Sequence, residues 1–139
     1  MPTQRRPRLT WTTRLAVAIT AVASVVGMST VIAPTAQATV FSSCTMSRCA
    51  DARSANSIWQ SKGYPITRGW YSWPNGQCNF AGGVFRNQEG QLPSGDSFQE
   101  FDVYPRSCGA SRDAYRIVRG RNTGVVWFSP NHYTDFYKI

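Results

Sequence analysis

Two short stretches of polar/apolar alternation, separated by a turn, constrain this chain more than any other feature. In Phe98-Gln99-Glu100-Phe101-Asp102-Val103-Tyr104, Phe101 and Val103 fall on one face and Glu100 and Asp102 on the other. That period of two is the mark of a half-buried strand. Pro105, Ser107, Cys108 and Gly109 supply a turn. In Ala114-Tyr115-Arg116-Ile117-Val118 the alternation returns, with Tyr115 and Ile117 opposed to Arg116. An antiparallel hairpin centred on Gly109 sets Asp102 opposite Arg116. Phe101, Val103, Tyr115 and Ile117 then face a core, while Glu100, Asp102, Arg112 and Arg116 share the other face. Opposite charges across strands stabilise a sheet modestly, so a solvated, salt-bridged face is the bland reading of this pattern.

The N-terminus reads as a targeting segment. Arg5, Arg6, Arg8 and Arg14 precede an uncharged stretch from Leu15 to Ala33, followed by Pro34-Thr35-Ala36-Gln37-Ala38. A basic region, an apolar region and an A-x-A site make residues 1–38 a secretory signal peptide; a retained membrane anchor is the alternative. Residues 39–139 then form a single small domain with one core. Four of the fifteen Lys and Arg fall before residue 39 and none of the seven Asp and Glu does, leaving eleven against seven, a net charge of +4. This mild positive bias is compatible with a polyanionic ligand.

All four cysteines, Cys44, Cys49, Cys78 and Cys108, lie in the exported part. An even count there implies two disulfides, and with no histidine nearby a zinc site is not expected. Three connectivities are possible. If Val84-Phe85 pairs antiparallel with Asp102-Val103 about a turn near Pro93, the same centre relates Cys78 to Cys108 and leaves Cys44 with Cys49.

Along the chain, Asp51 to Lys62 carries Ala52, Ala55, Ile58 and Trp59 at helical spacing, with Gly63 as a stop. Gly63 to Ala81, rich in turn formers and aromatics, reads as a long ordered loop. Strands follow near 82–85, 98–104, 114–119, 124–128 and 133–138. The expectation is an α+β domain: an N-terminal helix packed on a C-terminal antiparallel sheet meander. There is no internal repeat and no glycine-rich phosphate loop followed by a helix.

A carboxylate and a histidine across a cleft, with arginines beside them, suit acid–base work on a phosphodiester. Cleaving RNA needs a base for the 2′-hydroxyl proton, an acid for the departing 5′-oxygen, and cationic donors for charge on the phosphoryl oxygens. Arginine presents forked donors matched to phosphate. The 2′-hydroxyl is an internal nucleophile, so the chemistry requires neither metal nor cofactor.

Four segments carry a resemblance: Gly83-Val84-Phe85-Arg86-Asn87-Gln88-Glu89-Gly90-Gln91-Leu92-Pro93, Glu100-Phe101-Asp102, Arg112-Asp113-Ala114-Tyr115-Arg116-Ile117 and Asn131-His132-Tyr133-Thr134-Asp135-Phe136. In order and spacing, the chain from Gly82 to Ile139 resembles the small secreted microbial guanyl-specific ribonucleases, the family of barnase. The resemblance implies the microbial ribonuclease fold and a role for each position. Glu100 matches the general base and His132 the general acid. Arg112 and Arg116 match the phosphate-binding arginines, and Asp102 the acid that holds them. Glu89 matches the carboxylate that reads guanine, with backbone amides of Arg86, Asn87 and Gln88 reaching O6, and with Phe85 and Tyr133 packing on or beside the base. Only guanine offers adjacent N–H donors that one carboxylate can accept together.

The pattern departs from barnase at Gln88, where such members carry arginine, at Arg86, in the loop from Pro105 to Ser111, and in its four cysteines. No counterpart of a further substrate-binding lysine is evident before Gly82. The expected protein is a secreted monomer that cuts RNA after guanosine and meets a small acidic barstar-like inhibitor inside its producer, with no membrane contact once the signal is removed. A non-catalytic, disulfide-stapled module that binds RNA or an acidic protein is the rival from another class, and an antibacterial toxin domain a third reading.

Overall fold

The computed structural model describes residues 38–139; the signal-peptide reading of residues 1–38 falls almost wholly outside them. Strand β1 (Thr39–Phe41) precedes helix α1 (Arg48–Ser61). Then come β2 (Gly69–Trp73), β3 (Gln77–Phe85), β4 (Phe98–Asp102), β5 (Arg116–Gly120), β6 (Val126–Ser129) and β7 (Asp135–Lys138). The seven strands form one sheet in the order β1-β7-β6-β5-β4-β3-β2. Every neighbouring pair from β2 to β7 is antiparallel, whereas β1 runs parallel to β7. The sheet is therefore mixed rather than a pure antiparallel meander. The extra strand could not be read from a three-residue segment whose partner lies at the far end of the chain.

Helix α1 buries Cys49, Ala52, Ala55 and Trp59, a spacing that lines one stripe. It starts three residues earlier than expected and stops at Gly63, whose φ of 71° a side chain would resist. Trp59 is fully buried in one cluster with Phe101, Val103, Ile117 and Phe128. Its indole N–H donates to the Asp102 carbonyl at 2.9 Å. A second cluster joins Leu92, Phe98, Val118, Trp127 and Phe136. Phe98 and Val118 belong to the face of β4 and β5 opposite Phe101 and Ile117.

The β4–β5 hairpin has the register its sequence symmetry predicts, with Asp102 opposite Arg116 and Phe101 opposite Ile117. The β3–β4 register differs from expectation. Val84 faces Gln99 and Phe85 faces Phe98, not Asp102-Val103, and a bulge shifts the pairing between Ala81 and Gly83. The connecting loop is organised about Asn87 and Leu92 instead of Pro93. The Asn87 side chain donates to the Leu92 carbonyl at 2.9 Å and accepts its N–H at 3.1 Å, while the Leu92 side chain is buried.

Both disulfides nevertheless form as expected, Cys78–Cys108 with Cα atoms 5.0 Å apart and Cys44–Cys49 at 5.7 Å. Cys78 exchanges backbone hydrogen bonds with Arg106, both at 2.8 Å. The bridge thus closes two residues beyond the directly opposed position.

Gly63–Ala81 is not one long loop. Gly69 pairs with Ala81 through to Trp73 with Gln77 about a Pro74-Asn75-Gly76 turn. Asn75 and Gly76 take φ of 62° and 70° there, which is turn chemistry that asparagine and glycine allow. Among the described residues no helix is long and apolar enough to cross a membrane.

Candidate active site

The two consecutive glycines of β3 decide where the central carboxylate sits. At Gly82 a Cβ would overlap the Glu100 side chain, so the carboxylate lies directly against the backbone of β3. Gly83 takes φ of 79° at the bulge, a conformation that favours glycine. Glu100 is itself 9% exposed. Its Oε2 accepts a hydrogen bond from the Tyr133 hydroxyl. Its Oε1 lies 3.7 Å from the Arg68 guanidinium and 4.0 Å from that of Arg112. Burial first, and the adjacent Glu100 charge second, push the Tyr133 phenol well above its ordinary value. The hydroxyl therefore stays a donor throughout any working range.

Asp102, with no exposed surface, is the hub behind Glu100. Arg112 grips it from Nε at 2.9 and 3.1 Å and from a terminal nitrogen at 2.5 Å. Arg116 approaches it at 3.3 Å and Arg106 at 3.9 Å. Asp113 adds a second carboxylate, 2.8 Å from Arg106 and 3.5 Å from Arg116. For Arg112, burial works against the charge, but the Asp102 hydrogen bonds outweigh it and hold the guanidinium above its usual value. Removing Asp102 would strip Arg112 of its hydrogen-bonded partner and leave Arg106 and Arg116 to Asp113, at a cost of roughly 3–5 kcal/mol. Arg116 is nearly fully buried, and its Nε has no partner among the described residues.

The β6–β7 loop brings the histidine. His132 and Tyr133 take φ of 53° and 70° in succession, costly for residues with side chains. The pair is held by His132 N–H to the Ala114 carbonyl at 2.9 Å and Tyr133 N–H to Ser129 Oγ at 2.8 Å. The His132 ring is exposed, 4.8 Å from the Tyr133 ring. Tyr133 in turn packs 4.9 Å from Phe85.

Phe85, Asn87, Gln88, Glu89, Glu100, His132 and Tyr133 all line a single cavity of about 570 Å³. Seven residues singled out from sequence thus meet at one place. Arg112 and Arg116 are not part of that lining; they join the cavity through Asp102 and Glu100. Glu89 and Gln88 are exposed on its rim. The Asn87 side chain is committed to Leu92, so it braces the loop and leaves only its backbone to face a ligand.

Sequence reasoning missed Arg68. It donates to the Gly82 carbonyl at 3.0 Å, lies 5.0 Å over the Phe80 ring, and keeps 61% of its side chain exposed beside Glu100. It also missed Arg106, and it assigned Tyr133 only a base-packing role. The Gly82-Gly83 pair was the available signal, because glycines inside a strand mark a bulge or a close approach.

A helix-backed sheet whose opposite face gathers Glu100, Glu89 and His132 at one cavity, with Arg68 and Arg112 beside Glu100, defines a small α+β protein. A family model described as ribonuclease matches residues 33–139, and the chain belongs to that ribonuclease family. Comparison with curated proteins returns no match.

Proposed function

We propose that this ribonuclease is a secreted, guanyl-specific endoribonuclease that works without a metal. The observation that carries this reading is the shared cavity. Glu89, Phe85 and Tyr133 line it together with Glu100 and His132, so one bound nucleotide can be read and cut at once. Glu89 accepts the N1–H and amino hydrogens of guanine, backbone amides of the Asn87 loop donate to O6, and Phe85 with Tyr133 packs the base.

Ionised Glu100 removes the 2′-hydroxyl proton, and the oxygen attacks phosphorus. Protonated His132 gives its proton to the departing 5′-oxygen. Arg112 and Arg68, both beside Glu100, stabilise the charge on the phosphoryl oxygens, and Arg116, buried against Asp102, supports the arrangement from behind. The 2′,3′-cyclic phosphate so formed is then hydrolysed with the two roles exchanged. The internal nucleophile makes a metal unnecessary. The A-x-A site and two disulfides support export. An acidic inhibitor of the barstar kind suits a cleft with Arg86 in its lining and Arg68 and Arg112 beside its central carboxylate.

The test is digestion of GpA, ApA, CpA and UpA in EDTA by the disulfide-intact chain, with His132→Ala in parallel. GpA cleaved to a cyclic phosphate, and loss of that cleavage in the variant, is the expected result. Cleavage of all four would overturn the Glu89 assignment. Binding of RNA without cleavage of any would make the protein a binding module.

A further inference from the structure

The A-x-A site ends at Ala38, and the fold places that residue at the active cavity. Ala38 lines the same cavity as Glu89, Glu100, His132 and Tyr133, and packs against the cluster of Phe98 and Phe136. The parallel register explains why. Thr39 stands opposite Asp135, so the chain enters β1 beside Thr134, at the end of the sheet where the His132 loop lies. The Thr39 backbone N–H donates to Asp135 Oδ1 at 3.3 Å.

Asp135 also governs the loop. Its Oδ2 accepts from the Asn131 side-chain amide at 2.9 Å, and its own N–H donates to Asn131 Oδ1 at 2.9 Å. Ser129 Oγ donates to the same Asn131 oxygen at 3.3 Å and accepts the Tyr133 N–H at 2.8 Å. The Tyr133 hydroxyl then donates to Glu100. One hydrogen-bonded path therefore runs from Thr39 through Asp135, Asn131, Ser129 and Tyr133 to the carboxylate.

We propose that hydrolysis of the Ala38–Thr39 bond activates the enzyme as well as releasing it. A leader peptidase adds water across the amide: the acyl carbon leaves as the Ala38 carboxylate, and the nitrogen becomes the Thr39 ammonium. Two things change at the site. Ala38 leaves the cavity wall, and a neutral N–H donor to Asp135 becomes a cation paired with it. Charge-assisted hydrogen bonds are stronger than neutral ones, so Asp135 holds Asn131 and the strained His132–Tyr133 pair more firmly. Asp135 and the new N-terminus are positioning groups that never touch RNA. The precursor is correspondingly the weaker enzyme, at the stage when it shares a compartment with its producer's RNA. The inference rests on the ribonuclease reading of the cavity.

The experiment compares three oxidised forms on GpA: residues 1–139, residues 39–139, and residues 39–139 acetylated at Thr39. The chain from Thr39 is expected to be the most active. Acetylation removes the ammonium while restoring only the carbonyl and α-carbon positions of Ala38, and should lower kcat about two- to fivefold, the size of an exposed ion pair, with little change in KM. The full chain should in addition show a raised KM, because Ala38 still forms part of the cavity wall. Asp135→Asn should show no further loss on acetylation, a coupling that a merely structural contact would not give. Equal kcat for the free and acetylated forms would overturn the proposal, as would an acetylation effect that survives Asp135→Asn. If the unmodified chain from Thr39 cleaves no dinucleotide at all, the ribonuclease chemistry itself is what fails.

Discussion

At Tyr133 the ring and the hydroxyl do different things, and a single substitution separates them. The ring packs 4.9 Å from Phe85 at the cavity wall, while the hydroxyl donates to Glu100 Oε2. Tyr133→Phe keeps the first and removes the second. A hydrogen bond to a charged group is worth roughly 1.5–3 kcal/mol, so kcat on GpA should fall at least about tenfold while KM changes far less. An unchanged kcat would mean that the hydroxyl does not position the carboxylate. Gly82 tests the other side of Glu100. Because a Cβ there would overlap the Glu100 side chain, Gly82→Ala must displace the carboxylate. A misplacement near 1 Å costs on the order of a hundredfold, read in kcat with the fold checked by circular dichroism. Glu100, His132 and Arg112 were legible through the family resemblance rather than by spacing alone, and the fold sets Glu100 and His132 at one cavity with Arg112 4.0 Å from Glu100. The Tyr133 hydroxyl was not legible, because its direction depends on two consecutive positive φ angles that no local pattern announces.

Elements were legible where pairing is local and symmetric. The β4–β5 hairpin follows from alternation on both sides of one turn, so its register could be computed from residue numbers. The β3–β4 pairing slipped because a bulge at Ala81–Gly83 breaks that arithmetic, and β2 was hidden among aromatics and turn formers. The β5–β6 turn shows how such a connection is pinned. Asp96, just before β4, accepts from Ser97 N–H at 2.8 Å, Asn122 N–H at 2.9 Å, Thr123 N–H at 3.2 Å and the Thr123 hydroxyl at 2.6 Å. The Thr123 hydroxyl, then the backbone N–H groups, draw the Asp96 carboxyl down to about 2. Its folded value lies below the unfolded value of about 3.9. The carboxylate therefore adds stability that is present above about pH 4 and lost as pH falls through about 2. Asp96→Asn should lower Tm near neutral pH and flatten its fall between about pH 4 and 2. Parallel Tm-against-pH curves for the two proteins would show that the turn is held by something else.

For the whole molecule, the α+β class and the cysteine pairing could be read from the chain, whereas its closure by β1 could not. A parallel contact between residues 39–41 and 135–137 leaves no trace in local sequence. The two disulfides close the fold at very different scales, spanning sequence separations of 5 and 30 residues. If a disulfide acts mainly by limiting the unfolded chain, the shorter loop contributes about 2 kcal/mol and the longer roughly 3–4 kcal/mol. The longer one also has a functional position. Cys78 precedes Phe80, whose ring lies 4.1 Å from the Arg112 guanidinium, and Cys108 opens the segment that leads to Arg112. Replacing Cys78 and Cys108 by serine should therefore lower Tm by more than the same change at Cys44 and Cys49. The deficit should be about 4–8 °C for each kcal/mol of difference. It should also lower kcat at temperatures where the protein is still folded, because the strand and the arginine are no longer tied together. The Cys44/Cys49 double variant should keep its kcat, since Cys44 and Cys49 belong to the helix-side cluster. Equal loss of kcat in both variants would mean that the disulfides act on global stability alone.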